Sequence, residues 1–490
     1  MNSARFKLHK AGNDPRAAAL QALFRVVHEG ADSQVALDAA LASPNLAPVD
    51  GRLCTELLYG TLRRFLSLRA VIRNFLDRPE NIPREMELTL ILSLYEMAFL
   101  RSPHHAAVGW AVSHIRNRFG RVMGGVGNAV LRKAQRSVPG CRPDSERRGS
   151  LQLSSPETDP GAGADLPDWM TRMWRENYGE DVSLALARAA CLEPPAGLRL
   201  NRAAEGWEDL RLELLAACGH SNERVGRHMD ERAEEHAHVL TFFVPLPAAA
   251  RRAVKQGRAS RQSAAAAEVL NFFSPGDWPR PIWDCCAGRG GKTLSLLEQG
   301  VAVRLASDIS SRRLDGLALD YARLGLSVPC PLLLRLDLSE LRPDAGDRSE
   351  GEADGRPDGV SGVFPELFGT ILLDAPCSGL GTLSRRPEIR LRRSPEDVEK
   401  LAGLQSLMLK NLWPRLMPGG RLIYITCTVS PAENEGQIAA FLASNPDALL
   451  GREFRTPFTS PLREFFYGAQ LEKKSRDAVG AEGQAGTAHC

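Results

Sequence analysis

Apolar residues recur at intervals of three and four along the first part of the chain. This period is typical of one face of an α-helix, and it is clear over residues 17–27, 53–65 and 88–100. No convincing strand pattern interrupts it. The pattern predicts an all-α N-terminal domain over residues 1–140, with a glycine-rich turn at 124–132 that leads into a basic helix.

From residue 281 the pattern changes to short apolar runs that alternate with helical stretches. Such alternation is typical of a doubly wound α/β domain with a largely parallel sheet. It predicts a C-terminal Rossmann-like domain over residues 256–472. The predicted strands are residues 281–285, 301–307, 332–336, 368–373 and 421–426, and two of the predicted helices are residues 293–299 and 395–416.

Four further segments complete the predicted organisation. Residues 141–165 are rich in Pro, Ser, Gly and charge, which predicts a linker. Residues 166–255 mix helical stretches with short apolar runs, which predicts a small α+β subdomain. Residues 343–362 are predicted to be a flexible insertion in the C-terminal domain, and residues 473–490 a disordered tail.

Charge is distributed unevenly along the chain. The formal net charge is only +3, yet residues 1–140 carry 19 Lys and Arg against 11 Asp and Glu, and residues 101–140 contain no acid. Such asymmetry favours a polyanionic partner. A solvated helical face would give the same pattern, so charge alone does not decide between the two.

The cysteines and apolar runs bear on the compartment of the protein. Ten cysteines without regular spacing do not make a disulfide framework. No secretory signal pattern opens the chain, and no apolar run reaches the roughly 18 residues of a membrane span. We therefore expect a cytoplasmic protein without a membrane partner. Cys285 and Cys286 are adjacent rather than in C-x-x-C spacing, so no metal site is expected.

Acidic residues follow four of the predicted strands. Because the carboxyl ends of parallel strands meet at one edge of a sheet, these acids favour a site for an adenosine-bearing cofactor. Glycines after the first strand let the backbone approach a ligand at a helix N-terminus. The loop is neither a P-loop nor a clean G-x-G-x-x-G, so a tight turn is the alternative. The acids are Asp284, Asp308, Asp337 and Asp374, and the glycines are Gly288, Gly290 and Gly291.

Two cysteines are predicted at the same sheet edge. Cys377 follows the strand at 368–373, and Cys427 follows the strand at 421–426. A lone cysteine is more often a small buried hydrophobe. Two thiols after consecutive strands instead favour a shared catalytic pocket. An arginine-rich loop, residues 385–393, comes shortly after the first thiol.

Two motifs surround these cysteines. They are LDAPCSGLGT at residues 373–382, and Thr426-Cys427 followed by Glu433-Asn434-Glu435. With them the chain resembles the bacterial RNA cytosine-5 methyltransferases that carry a NusB-like helical RNA-binding domain in front. The resemblance runs from about residue 14 to 472. Further matches are Asp284, Cys286, Ala287 and residues 290–293 in the glycine loop, and, more weakly, residues 56–63, 127–132 and 465–469.

The resemblance implies S-adenosylmethionine as the cofactor and a covalent mechanism. Cys427 is then the nucleophile, Asp374 hydrogen-bonds the base, and Cys377 assists release of the product. Lys292 either lowers a thiol pKa or positions Asp374, or is only a solvated lysine at a helix start. The implied cofactor contacts are Cys286, Ala287, Gly288, Arg289, Gly290, Gly291, Lys292, Asp308, Arg313, Asp337 and Asp374. The implied RNA contacts are Arg385, Arg386, Arg390, Arg392 and Arg393 in the loop and Arg132 in the helical domain.

The function implied by the resemblance is methylation of carbon-5 of a cytosine in small-subunit (16S) ribosomal RNA, by a monomer that acts before the subunit is fully assembled. Two alternatives stay open. One is the same chemistry on transfer RNA, and the other is a catalytically idle NusB-like RNA-binding or antitermination factor. The presence of both cysteines and all four acids argues against the idle factor. Departures from the family's pattern at Gly288-Arg289, Ser263, Leu391 and Thr428 remove no catalytic group.

Overall fold

The computed structural model describes residues 13–42, 46–137, 165–217, 238–242, 246–341 and 367–475. The chain divides into two compact units. The helical unit is Met1–Glu193 together with Thr382–Arg393, and the sheet unit is Pro194–Gly381 together with Ser394–Cys490. The predicted insertion at 343–362, nearly all of the predicted linker and most of the predicted tail lie outside the described residues.

The helical unit confirms the all-α prediction for the N-terminal part. Its first helix begins with Pro15, and the side chain of Asp14 caps it by accepting the Arg16 N–H at 2.9 Å. The helices are α1 (Pro15–Glu29), α2 (Ser33–Leu41), α3 (Pro48–Arg63), α4 (Phe65–Asn74), α5 (Arg84–Phe99), α6 (His104–Phe119), α7 (Arg121–Ser137), α8 (Asp168–Tyr178) and α9 (Glu180–Cys191). None of the helices in the described ranges is both long enough and apolar enough to cross a membrane.

Helix α5 is buried on almost all its faces and forms the centre of the helical unit. Its three acids are buried with it, and burying unpaired carboxylates would be costly. Each acid therefore pairs with a basic side chain from another helix. The pairs include Arg16–Glu96 at 2.6 Å, Arg73–Glu87 at 2.7 Å and Arg118–Glu85 at 3.1 Å.

The glycine-rich turn predicted at residues 124–132 is wrong, because α7 runs through it without interruption. Two of its glycines instead permit close packing against α6. A Cβ atom on Gly124 would lie 2.9 Å from the Cβ of Arg116, and one on Gly127 would lie 2.8 Å from the Cδ1 of Ile115. These glycines therefore allow α6 and α7 to pack closely, and they do not interrupt α7.

The sheet unit begins with a small antiparallel sheet in the order β2-β1-β3. Its strands are β1 (Ala196–Leu200), β2 (Val239–Phe242) and β3 (Ala259–Arg261), and it packs with α10 (Trp207–Ala217) and α11 (Ala248–Lys255). The sequence placed residues 166–193 in this subdomain, whereas the two-unit division places α8 and α9 in the helical unit. The other predicted boundaries stay predictions.

The main sheet has seven strands in the order β6-β5-β4-β7-β8-β10-β9. Strands β4 to β8 pair in parallel, which confirms the doubly wound prediction. They are β4 (Ile282–Asp284), β5 (Leu305–Asp308), β6 (Leu332–Arg335), β7 (Phe368–Asp374) and β8 (Leu416–Thr426). The flanking helices are α12 (Ala264–Phe272), α13 (Gly291–Glu298), α14 (Ser311–Leu324), α16 (Pro395–Leu412) and α17 (Glu435–Ser444), while α15 (Ile389–Arg392) belongs to the helical unit.

Two antiparallel strands at one side of this sheet, β9 (Ala448–Arg455) and β10 (Tyr467–Lys473), have no counterpart among the predicted strands. Along β9 the side chains are largely exposed, so the strand lacks the apolar alternation on which the prediction relied. The interior strands alternate as expected. Ile371 and Leu373 of β7 pack into the core on one face of the sheet, and Leu372 packs into the core on the other.

The glycines of α7 give a stability test with a matched control. We expect Gly124→Ala to lower the free energy of unfolding by about 1–3 kcal/mol, because the new methyl group would meet the Cα of Arg116 at 3.3 Å as well as its Cβ. Gly125→Ala should instead raise it by about 0.5–1 kcal/mol, since a Cβ there has no atom within 4 Å and alanine favours a helix. Urea unfolding of the two variants measures both changes, and equal effects would contradict the packing argument.

Candidate active site

The carboxyl ends of the five parallel strands lie at one edge of the main sheet, and the predicted site residues follow them. The glycine loop follows β4, Asp308 ends β5, and Asp337 follows β6. Asp374 ends β7, and Cys427 follows β8. Because ligands of open α/β sheets bind outside these ends, the fold itself gathers the predicted groups.

The two cysteine thiols lie against each other. The Sγ atoms of Cys377 and Cys427 are 3.4 Å apart, and the backbone N–H of Cys427 donates to the Sγ of Cys377 at 3.4 Å. Both are free thiols. The hydrogen bond with Cys427 and burial together raise the pKa of the Cys377 thiol well above its usual range. A Cys377 thiol with such a pKa stays protonated at neutral pH.

Lys292 of α13 forms an ion pair with Asp374 at the end of β7. The Nζ of Lys292 lies 2.5 Å from the Oδ2 of Asp374 and 5.8 Å from the centre of the Phe466 ring. The whole Lys292 residue is only 8% exposed. The reading of Lys292 as a solvated lysine at a helix start is therefore wrong, because a buried ammonium needs the charge partner that Asp374 supplies.

The glycine loop between β4 and α13 has the conformation that glycine allows. Gly288 and Gly290 have φ values of 57° and 83°. The N–H of Gly288 donates to the Oδ2 of Asp308 at 3.0 Å, so the loop is tied to the end of β5. A Cβ atom on Gly288 or Gly291 would have no atom within 4 Å. The loop therefore borders open space at the N-terminus of a helix, where a ligand can approach the backbone.

The other predicted cofactor residues are placed less uniformly. The guanidinium of Arg313 lies 3.6 Å from Asp308, and the exposed Arg289 lies 3.7 Å from Asp320. Asp337 accepts the N–H of Ser339 at 2.9 Å and its hydroxyl at 2.6 Å, so one of its oxygens is already used to fix its own turn.

Asp284 lies at the end of β4, where it is almost fully buried. Its Oδ2 accepts a hydrogen bond from the Thr293 hydroxyl at 2.6 Å, and its Oδ1 has no hydrogen-bond partner. Burial raises the pKa of Asp284 to about 7, the Thr293 hydrogen bond opposes this, and the nearby Asp374 carboxylate adds to it. The protein therefore favours the neutral form of this carboxyl group.

No role was predicted for Glu433 from the sequence, although it belongs to the motif that follows Cys427. The structure buries it completely between the two cysteine loops. Its Oε1 accepts hydrogen bonds from the Ser378 N–H at 2.8 Å and from the Gln405 amide at 3.1 Å. Its Oε2 accepts from the Ser378 hydroxyl at 2.5 Å and from the Thr428 hydroxyl at 3.4 Å. The residues that follow Cys377 and Cys427 in the sequence, Ser378 and Thr428, are thus both hydrogen-bonded to Glu433.

Comparison with known proteins identifies the family. The sequence matches the NusB family over residues 13–136 and the family described as 16S rRNA methyltransferase RsmB/F over residues 272–463. A ribosomal RNA small subunit methyltransferase B from Vibrio vulnificus is 32% identical over 468 residues, which cover 94% of this chain and 99% of that protein. One from Pseudomonas putida is 32% identical over 448 residues, which cover 89% of this chain and 90% of that protein.

The chain belongs to the RsmB/F methyltransferase family. It is an RNA methyltransferase with a NusB-family helical part and a Rossmann-like part, as its sequence predicted. Among solved structures, the crystal structure of a protein designated PH0851 superposes with a TM-score of 0.67 at 22% identity, and the match covers 94% of this chain and 99% of that one. This likeness shows that the fold is shared.

In this RsmB/F-family chain the arginine-rich loop lies in the helical unit. Arg390 is 1% exposed, so the phosphate contact predicted for it is wrong in this structure. Its guanidinium donates to the carbonyls of Arg63 at 2.6 Å, Ala190 at 2.8 Å, Asp165 at 3.0 Å and Leu383 at 3.4 Å. A charge enclosed by carbonyl oxygens is a structural anchor.

The remaining loop arginines are more accessible. Arg386 is exposed, and Arg385 and Arg393 are half-buried. Arg392 is exposed and donates to the carbonyls of Val26 and Ala31. On α7, Arg132 is exposed and donates to the Gln135 side chain at 3.3 Å. The roles of these arginines in RNA binding stay predictions.

The raised pKa of Asp284 predicts how one substitution depends on pH. The folded pKa of about 7 lies above the value of 3.8 usual for this group, so its favourable contribution to stability is present below about pH 4 and is lost as pH rises through 7. Asp284→Asn stays neutral, so its melting temperature relative to wild type should rise between pH 4 and pH 8. Scanning calorimetry measures it, with the exposed Asp277→Asn as the control for losing one charge. A difference that does not change with pH would contradict the burial argument.

Proposed function

We propose that this enzyme methylates carbon-5 of a cytosine in small-subunit ribosomal RNA through a covalent bond to Cys427. The observation that carries the proposal is the contact between the Cys377 and Cys427 thiols, 3.4 Å apart at the ends of adjacent parallel strands. The substrate follows the names of the relatives, which are small-subunit ribosomal RNA methyltransferases. The expected monomeric state and action before full assembly of the subunit are part of the same proposal.

S-adenosylmethionine is the cofactor of this methyltransferase, and when bound it supplies an electrophilic methyl group. The residues around the glycine loop fit an adenosine-bearing sulfonium compound. Open space borders Gly288 and Gly291, so the backbone can approach the ligand closely. Asp308 holds the loop through the Gly288 N–H and retains acceptor capacity for ribose hydroxyls at the end of β5.

Carbon-5 of cytosine is a poor nucleophile, so a thiolate must first activate the ring. The Cys427 thiolate adds to carbon-6, and the electron pair of the 5,6 double bond makes carbon-5 enamine-like. Cys377 supports the ionised form of Cys427, because it keeps its own proton and can donate a hydrogen bond to the neighbouring sulfur at 3.4 Å. A protonated Cys377 supports the role of nucleophile for Cys427, which the resemblance to the family implies.

Asp374 is placed to recognise and activate the base. The Asp374 side chain is 35% exposed, so its carboxylate can accept a hydrogen bond from the base near the ring nitrogen, once that nitrogen takes up a proton as charge develops there. Lys292 holds this carboxylate at 2.5 Å and fixes its orientation. Of the two active roles considered for Lys292, the contact favours the positioning of Asp374. Pro376 lies between Asp374 and Cys377 and is proposed to shape the base pocket.

Release of the product reverses the addition. The carbon-5 proton leaves to solvent or a nearby base, its bonding electrons restore the 5,6 double bond, and the carbon-6–sulfur bond breaks with its electron pair on Cys427. A thiol at 3.4 Å can stabilise the departing sulfur by donating a hydrogen bond. This is the role that we propose for Cys377.

The RNA must present an unstacked cytosine, because carbon-6 is inaccessible inside a stacked helix. We propose that Arg385, Arg386, Arg392, Arg393 and Arg132 contact phosphates, which supply affinity without sequence readout. A tritium-transfer assay on undermethylated small-subunit ribosomal RNA tests the function. Label is expected on carbon-5 of cytosine. Absence of labelled cytosine, while both RNA and cofactor bind, would overturn the enzyme assignment, and label only on transfer RNA would overturn the substrate.

The two cysteines should fail at different steps. Cys427→Ala should abolish methylation and leave cofactor binding unchanged, because the sulfur that forms the bond is absent. Cys377→Ala should instead accumulate a covalent RNA–protein adduct, because addition survives and release is impaired. A denaturing gel with and without nuclease detects the adduct. Methylation above a few per cent of wild type in Cys427→Ala, or no adduct in Cys377→Ala, would refute the respective role.

Two arginines of the same loop should differ in what their loss affects. Arg386→Gln should weaken RNA binding and reduce the slope of log affinity against log salt by about 0.7, as expected for one lost contact to single-stranded RNA. Arg390→Gln should lower the free energy of unfolding by about 3 kcal/mol, because buried carbonyls lose a charged donor. Filter binding over a salt series and urea unfolding separate the two effects. A normal stability of Arg390→Gln would contradict the anchoring role.

A further inference from the structure

We propose that Glu433 is a positioning residue for the methyl-transfer reaction, which holds Cys377 and Cys427 at their working separation. The inference rests on the proposed function, because it concerns the same two thiols. Glu433 lies in the turn between β8 and α17. Nothing in the proposed chemistry requires it to touch RNA or cofactor, so its effect must pass through the cysteine loops.

The first tie joins Glu433 to the loop that carries Cys377. Ser378 donates both its backbone N–H, at 2.8 Å, and its hydroxyl, at 2.5 Å, to the two oxygens of the carboxylate. A two-point contact fixes the orientation of a residue as well as its distance. Since Ser378 is bonded directly to Cys377 in the chain, the contact fixes the direction from which that thiol approaches its neighbour.

The second tie joins Glu433 to the loop that carries Cys427. The Thr428 hydroxyl lies 3.4 Å from Oε2 of Glu433 and 2.6 Å from the Ser378 hydroxyl. Glu433, Ser378 and Thr428 thus form a closed triangle of side chains. Its corners on the two loops are the residues that follow Cys377 and Cys427. A change at any corner must alter how the two sulfur atoms face each other.

Glu433 is itself held from several directions. Gln405 donates one amide N–H group to Oε1 of Glu433 at 3.1 Å and also contacts the carbonyl of Pro376 at 2.9 Å. The Tyr424 hydroxyl donates to the main-chain carbonyl of Glu433 at 2.7 Å. The next residue, Asn434, accepts from the Thr426 hydroxyl at 2.6 Å and donates to the Thr428 carbonyl at 3.0 Å. The carboxylate is therefore a rigid reference point for both loops.

The chemistry of a carboxylate adds an electrostatic effect to the geometric one. The partners of Glu433 described above are uncharged, so its charge is offset by hydrogen bonds and not by a cation. A negative charge close to a thiol disfavours the thiolate, and Glu433 contributes to the raised pKa of Cys377, after the larger effects of Cys427 and burial. This keeps on Cys377 the proton that its proposed role requires.

A packing role alone would predict only lower stability, whereas positioning predicts a loss confined to turnover. Glu433→Gln keeps the size of the side chain but replaces one acceptor oxygen with a donor. The Ser378 hydroxyl, which donates to Oε2 in the wild type, must then turn and accept, and the charge-assisted bond becomes a weaker neutral one. We expect kcat to fall by about 10-fold to 100-fold. A displacement of the reacting groups by up to about 1 Å is enough to cause a loss of this size. KM for RNA and the affinity for S-adenosylhomocysteine should stay within about 3-fold of wild type.

The matched control is Glu435→Gln, two residues away. Glu435 pairs with Arg455 and has no described bond to either cysteine loop, so removing its charge should leave kcat unchanged. Addition and methyl transfer are measured apart from release with RNA that carries 5-fluorocytosine, in the presence of S-adenosylmethionine. After methylation carbon-5 bears fluorine, which cannot leave as a proton does, so the adduct is trapped. Glu433→Gln should form this adduct at least about 10-fold more slowly than wild type or Glu435→Gln.

The outcomes separate this inference from the proposed function. If wild type forms no adduct with the fluorinated RNA, the covalent function fails. If wild type forms it and Glu433→Gln forms it at the same rate with normal kcat, only the positioning role is overturned. If Glu433→Gln no longer binds cofactor, Thr428→Val decides, because it removes one corner of the triangle and keeps the carboxylate. Normal kcat and adduct rate in Thr428→Val would then overturn the positioning role.

Discussion

The parallel pairing of β7 with β8 is the constraint on which the site depends. In this register Leu373 lies opposite Tyr424 and Asp374 lies opposite Ile425. The two strands therefore end at the same level, and the loops that leave them must run side by side. Cysteines 50 positions apart in the sequence meet as a result. A shift of register would separate the thiols and would also move alternate side chains to the wrong face of the sheet.

Several contacts convert that pairing into a fixed geometry. The N–H of Gly381 donates to the Cys427 carbonyl at 3.1 Å, and its own carbonyl accepts the Phe465 N–H at 2.9 Å. A Cβ on Gly381 would lie 2.0 Å from the Phe465 carbonyl oxygen, so only glycine fits between the two segments. The loop after β7 is thus hydrogen-bonded to the segment of Cys427 and to the segment of Phe465. Backbone hydrogen bonds therefore order the two cysteine loops together with the side-chain bonds of Glu433.

The glycine loop and α13 are supported from outside the main sheet. Arg199 of β1 is buried and pairs with Glu298 of α13 at 2.6 Å. The same guanidinium donates to the carbonyl of Gly291 at 2.9 Å, at the first residue of that helix. The small antiparallel sheet therefore fixes the start and the end of α13, and with them the glycine loop and Lys292. A subdomain whose sequence pattern is weak has a clear structural task.

The sequence predicted the fold correctly where the apolar pattern and the candidate side chains lie next to each other in the chain. Short apolar runs that end in Asp284, Asp308 and Asp374 predicted the parallel strands and their shared edge. Long-range partners could not be predicted in this way. The burial of Arg390 depends on carbonyls of Arg63, Asp165 and Ala190, which are distant in sequence, and an arginine run gives no sign of them. Glu433 likewise gains its partners only through the pairing of the strands.

The membership of Thr382–Arg393 in the helical unit bears on how the protein can be divided. This segment follows the loop of Cys377 directly, yet Leu391 packs on the helical core and Arg390 holds carbonyls of that unit. No single cut in the polypeptide therefore yields two complete modules. A fragment that ends at Glu193 would lack part of its own interior, and a fragment that begins at Pro194 would carry that part unpartnered. Each unit has its own hydrophobic core, but no continuous stretch of the chain contains one unit complete without part of the other.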